Sequence, residues 1–97
     1  MRLRIPMILT TKTKQKLKAQ AHALKPIILI GNNGLTDAVN KEIDRALNDH
    51  ELIKVRIATN DRELRREIFK QLCEANKAEL VQTIGLIGVI YRQNKEI

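Results

Sequence analysis

Apolar residues recur along this chain with two periods, one close to 3.6 residues and one of 2, and the switches between them mark out seven elements. Leu17, Ala21 and Leu24 stand four and three apart, which predicts a helix. Thr10 and Thr11 are its candidate N-caps, and it runs to about Ala23. Lys25-Pro26 stops it, because proline disfavours helix in the residue before it. Ile27-Ile28-Leu29-Ile30, between Pro26 and Gly31, predicts a short strand buried on both faces. Gly31-Asn32-Asn33-Gly34 is a tight loop. Thr36 can cap a second helix, with Asp37 in its first turn and Val39, Ile43, Ala46 and Leu47 as its apolar face to about Asp49. From Leu52 to Ile57 the pattern alternates: Ile53, Val55 and Ile57 point one way, Leu52, Lys54 and Arg56 the other, as in a half-buried strand. Asn60 or Asp61 can start a third helix in which Leu64, Ile68 and Leu72 recur every four residues. Leu80–Ile84 and Ile87–Tyr91 read as two strands joined near Gly85 in a hairpin. Gly88 falls inside the last strand, where glycine weakens the ladder or marks a bulge. The order α-β-α-β-α-β-β predicts an α/β (α+β) two-layer sandwich.

Composition adds limits. Ninety-seven residues suit one domain, and neither a linker, a repeat nor a low-complexity tract divides them. Hydrophobic residues at 43% and charged residues at 30% are ordinary for a soluble globular chain. No apolar run approaches the length of a membrane span. The first nine residues read as a short extension liable to fray rather than a signal peptide, and either Met1 or Met7 can be the natural start. Cys73, the single cysteine, has no internal disulfide partner, which points to a reducing compartment, the cytoplasm.

The net charge of +7 matters more once it is located. Residues 1–26 contain Arg2, Arg4, Lys12, Lys14, Lys16, Lys18 and Lys25 and no acid. Beyond them, basic and acidic side chains cancel. A one-sided block of this kind suggests a polyanion, with nucleic acid ahead of a membrane surface or simple solubility.

Little else in the chain suggests chemistry. His22, His50 and Cys73 have no metal-ligand spacing, and Cys73 beside Leu72 reads as core packing. Glu63 and Glu67 stand among Arg62, Arg65, Arg66 and Lys70, the pattern of i, i+4 pairing on a solvated helix face. The glycine loop lacks the lysine and hydroxyl of a P-loop and the third glycine of a dinucleotide site. No enzyme, cofactor or small-molecule substrate is expected. Phe69 and Tyr91 are the only aromatics, too few for a base-stacking platform, so a nucleic-acid partner would be read through phosphates and shape. Tyr91 is expected to pack within its strand.

The loop Gly31-Asn32-Asn33-Gly34 lies between a strand and a helix. Glycine lets a ligand come close to the backbone, asparagine offers amide donors, and a helix N-terminus downstream adds N–H groups and a positive dipole, together a small anion cradle. KH-domain GxxG loops clamp nucleic-acid backbone in a similar way, though between two helices. The stretch from Lys18 to Thr36 resembles the opening of the CRM (chloroplast RNA splicing and ribosome maturation) domain, whose bacterial stand-alone members are the YhbY-like proteins. Glu51–Ile57 looks like that family's second-strand segment, and Ile84-Gly85 with Ile90-Tyr91-Arg92 like its closing hairpin. The resemblance implies a four-stranded mixed sheet with three helices, similar to the C-terminal domain of a bacterial translation initiation factor. It implies binding of structured RNA, with ribosomal RNA of precursor large ribosomal subunits as the expected partner. Carried over by position, Gly31, Asn32, Asn33 and Gly34 match the GxxG, Lys18 and Lys25 match basic positions around the first helix, and Arg92 matches the terminal Tyr-Arg pair. Lys14 and His22 join these as candidate RNA contacts on the same helix. Two departures stand out: Asn32-Asn33 replaces the basic residue often found inside the loop, and Leu86 replaces a polar residue after Gly85, leaving RNA contact at the hairpin tip open.

Two other classes fit the charge. One is a general duplex-DNA binder, although no helix looks built for a major groove. The other is an adaptor whose basic helix docks on an acidic protein.

Overall fold

Each helix starts at a side chain that takes up one of the free N–H groups of its first turn. Thr10 accepts from the Thr13 N–H, Thr36 from Val39 and Asp61 from Leu64. The structure, a computed structural model, describes residues 10–94, so the nine-residue extension and both candidate start methionines lie outside the described residues. The elements are α1 (Thr11–Ala21), β1 (Pro26–Ile30), α2 (Asp37–His50), β2 (Leu52–Ile57), α3 (Arg62–Asn76), β3 (Glu79–Ile84) and β4 (Ile87–Tyr91). They follow the expected order.

The strands form one mixed sheet in the order β1-β2-β4-β3, with β1 parallel to β2 and the other two pairs antiparallel. Alternation along the strands divides the core between the two faces. Ile28, Ile30, Ile53, Val55, Ile57 and Ile90 point to one face, where Ile43, Ala46 and Leu47 of α2 and Ile68, Phe69 and Leu72 of α3 cover them. Leu52, Val81 and Val89 point to the other, under Leu17 and Ala21 of α1. Sheet plus α2 and α3 make the expected sandwich, and α1 adds partial cover on the opposite side.

That partial cover accounts for one correction. β1 is buried on one face only: Ile28 and Ile30 are inside, while Ile27 and Leu29 are 50% and 63% exposed. β1 is an edge strand, and α1 packs on β2 and β3 instead. Leu24 also differs from expectation. The helix ends at Ala21, the Leu24 N–H bonds back to the Ala21 carbonyl, and the Leu24 side chain is exposed. Its carbonyl accepts from Lys54 Nζ at 2.9 Å, which ties this connection to β2. In α3, Leu64 stands outside the core and Phe69 takes its place.

Gly88 pairs regularly with Val55 and Thr83, so β4 has no bulge there; the register shift lies on β3, between Leu80 and Gln82. Gly88 serves close approach. A Cβ on it would stand 2.3 Å from Cε1 of Phe69, so the ring fits only because the side chain is missing.

Candidate nucleic-acid interface

The Gly31–Gly34 loop sits where three segments meet at one end of the sheet. The Ala58 N–H donates to the Ile30 carbonyl and the Ile57 N–H to the Leu86 carbonyl, each at 2.9 Å. These bonds fix the exit of β1, the exit of β2 and the β3–β4 turn side by side. Within the loop the Gly34 N–H donates to the Gly31 carbonyl at 3.0 Å, closing a tight turn with Asn32 and Asn33 at its outer corners, both exposed. Gly34 has φ of +67°, which glycine adopts without steric cost. Gly31 has no such constraint, and a Cβ there would meet nothing within 4 Å. Its contribution is a bare approach to the backbone.

The cradle is weaker on its helix side than the sequence suggests. Thr36 already takes the Val39 N–H, and Asp37 places an acid in the first turn of α2. A carboxylate there repels a phosphate where the dipole would attract one. An anion at this loop therefore meets mainly the N–H groups and side-chain amides of the Asn32-Asn33 turn.

Lys14, Lys18 and His22 follow one another at i, i+4 and i+8 along one side of α1, and Lys25 continues the row in the connection to β1. Lys18, His22 and Lys25 are exposed, and Lys14 is half-buried. Lys25 borders a groove of about 340 Å³ walled by Leu24, Ile27 and Leu52. The row does not surround the loop. β1 separates Lys25 from Gly31, and at about 3.3 Å per residue that is roughly 20 Å. Between them run the exposed Ile27 and Leu29, with Arg56 across from Leu29 on β2. The structure thus lays the candidates along a band, and a polyanion touching both ends must span several phosphates. Arg56 belongs to this band. Alternation had put it on the solvent face of β2, but only the pairing with β1 brings it beside the loop.

Arg92 is corrected outright. It is 5% exposed and engaged inside the protein. Its Nη1 donates to Asp44 Oδ1 at 2.7 Å and to the Asn76 carbonyl, and its Nη2 donates to the Asp44 carbonyl and to Asn48 Oδ1. One planar fork joins α2, the end of α3 and the end of β4, so this side chain is not available to RNA.

Cys73 packs against the main core. Burial first, then Glu79 and Glu74, push its thiol up to about 12, which makes it a poor nucleophile at neutral pH. Tyr91 packs on the smaller core under α1, and burial followed by Glu51 raises its phenol above the ordinary value. Among the described residues no group of His, Cys, Asp and Glu is arranged to hold a metal. None of their helices is long and apolar enough to cross a membrane.

Comparison with known proteins agrees with this architecture. Residues 9–92 match the CRS1 / YhbY (CRM) domain. Over 88 residues the chain is 51% identical to a protein of Haemophilus influenzae named an RNA-binding protein, covering 91% of this chain and 89% of that one. Over 88 residues it is 46% identical to a protein of Pseudomonas aeruginosa named a probable RNA-binding protein, covering 91% and 85%. The solution structure of a Staphylococcus aureus protein, described as a candidate RNA binding protein, superposes with a TM-score of 0.80 at 42% identity, covering 91% of this chain and 92% of that one. With the family match running from before α1 to beyond β4 and the same fold in a solved relative, the chain belongs to the CRS1 / YhbY (CRM) domain family.

Proposed function

We propose that this protein is a non-catalytic RNA-binding module that acts in the cytoplasm on ribosomal RNA of precursor large ribosomal subunits. The observation that carries the RNA part is the band itself: an acid-free row of basic residues on α1 that continues past an open edge strand to a turn with exposed backbone and amide donors. Such a surface suits phosphates in a fixed spatial arrangement. Phe69 is buried and Tyr91 is packed, so neither offers a stacking platform, and shape outweighs base stacking. The names of the relatives support RNA as the ligand class. The assembly role and the choice of ribosomal RNA rest on the family alone.

The test is capture of the tagged full-length chain from growing cells, with and without nuclease, followed by sequencing of the bound RNA. The expected result is enrichment of large-subunit precursor RNA, with the particles lost on nuclease treatment. Enrichment of other RNAs would overturn the assembly role, and partners retained after nuclease would favour a protein adaptor.

A further inference from the structure

The amino-terminal half of α3 carries arginines where a helix facing a sheet ordinarily carries apolar residues. Arg62, Arg65, Arg66 and Phe69 stand at i, i+3, i+4 and i+7, which is one helix face. That face continues into the buried Phe69, Leu72 and Asn76. Leu64, the apolar residue of this first turn, points outward instead, 48% exposed. The usual pattern is inverted over one turn and a half.

What the arginines face is a groove of about 330 Å³, bounded by them on one side and by Thr83 and Gly85 of the β3–β4 hairpin on the other. Phe69 and Leu80 form its floor. Its size suits one nucleotide rather than a folded ligand. Arg65 is held in place by its Nη1 donating to the Thr59 carbonyl at 2.7 Å. Among the described residues none of the three arginines forms an ion pair, and the expected pairing with Glu63 and Glu67 does not occur.

The placement is electrostatically unfavourable for the protein alone. Three like charges share one face of the first turn and a half of a helix whose dipole makes that end positive; Asp61 and Glu63 offset that charge in part, but among the described residues neither comes within ion-pair distance of the arginines. A bound anion relieves both repulsions. The groove also lies at the loop end of the sheet: the Ala58 N–H bond to Ile30 and the Ile57 N–H bond to Leu86 hold the exit of β2 and the hairpin turn beside the exit of β1, and Arg65 ties α3 to Thr59 just beyond.

We propose that this groove is a second RNA contact, taking one phosphate and its sugar on Arg62 and Arg66, with Thr83 positioned to bond to the same nucleotide. It rests on the RNA-binding reading and extends the footprint from the α1 side of the sheet around its loop end to the α3 side.

The test uses the full chain and a large-subunit ribosomal RNA transcript across a salt series, comparing wild type with Arg62→Gln/Arg66→Gln and Arg62→Lys/Arg66→Lys. Losing the charge-assisted contacts to this one phosphate weakens binding roughly ten- to a hundredfold at low salt and lowers the slope of log affinity against log salt by about 0.7–0.9. The Gln variant should melt at the same temperature as wild type or higher, because like charges at the helix start are gone. The Lys variant should recover most of the slope. Wild-type binding with an unchanged slope in the Gln variant overturns this site and leaves the RNA-binding reading intact. Absence of RNA binding by wild type overturns both.

Discussion

Arginines stand at both ends of the sheet, with opposite surroundings. At one end Arg92 is buried, and both terminal nitrogens of its guanidinium donate to acceptors supplied by α2 and α3, including the carbonyl of Asn76 at the carboxyl end of α3, where the dipole favours a cation. At the other end Arg62 and Arg66 lie exposed at the amino end of the same helix, where the dipole disfavours a cation and no described carboxylate comes within ion-pair distance of them. The difference teaches that residue type and family position do not assign a role here; the source of the acceptors does. A guanidinium satisfied by its own chain holds the fold, and one left facing a groove is available to a partner.

The largest effect should come from breaking the satisfied end. Arg92→Ala leaves the Asn76 and Asp44 carbonyls and Asn48 without this donor, and should cost about 2–4 kcal/mol of stability, the lower part of the range being set by the exposure of the Asp44 side chain. Urea unfolding followed by circular dichroism measures it. Arg92→Lys should restore little, because an ammonium cannot reach across the same fork of acceptors. If the comparison holds, the folded fraction of Arg92→Ala binds RNA as wild type does.

Gly88→Ala comes next. Its methyl group collides with Phe69, and displacing a buried ring should cost about 1–3 kcal/mol, read as a lower urea midpoint. Because Phe69 also floors the arginine groove, this variant should weaken RNA binding as well.

The two loop glycines should separate. Gly34→Ala places a side chain at positive φ and should lose about 1 kcal/mol. Gly31→Ala should change stability by less than about 0.5 kcal/mol, since nothing crowds its Cβ, yet should weaken RNA binding by obstructing the backbone. Equal RNA affinity in Gly31→Ala and wild type would remove the loop from the interface.

At neutral pH the smallest effect belongs to Cys73, whose thiol should resist a thiolate-selective reagent in the folded state and react on unfolding. Its folded pKa of about 12 exceeds the ordinary 9.0, so the unfolded chain releases the proton first. Its stabilising contribution is complete below pH 9 and declines as pH rises towards 12. Tyr91, also raised, acts in the same sense. Urea midpoints from pH 7 to 11 should be level at first and then fall, and Cys73→Ala should reduce the fall.

Much of the fold was legible because local signals agreed with it: Thr10, Thr36 and Asp61 cap where the periodicity begins, and the alternation of Ile53, Val55 and Ile57 names a buried face correctly. What failed depended on partners distant in sequence. Ile27 and Leu29 read as buried because an apolar run does not reveal that its strand lies at an edge beyond the reach of α1. Arg92 read as a contact because Asp44, Asn48 and Asn76 are far from it along the chain. Arg62 and Arg66 lie on a solvated face as read, but the expected ion pairing is absent, and only the registry with Phe69 and the hairpin shows that they overhang a groove. The lysines and the loop stood out in the sequence as candidates, while the roughly 20 Å between Lys25 and Gly31 needed β1 to be placed.

The open basic surface is proposed to bind structured RNA. This is tested most directly by the affinity of the full chain for a large-subunit ribosomal RNA transcript and for duplex DNA of equal length, across a salt series. Tighter RNA binding is expected at every salt concentration, with a slope equivalent to several phosphates. Equal affinity for both, with equal slopes, would contradict it, because that is the behaviour of a basic helix acting on charge alone.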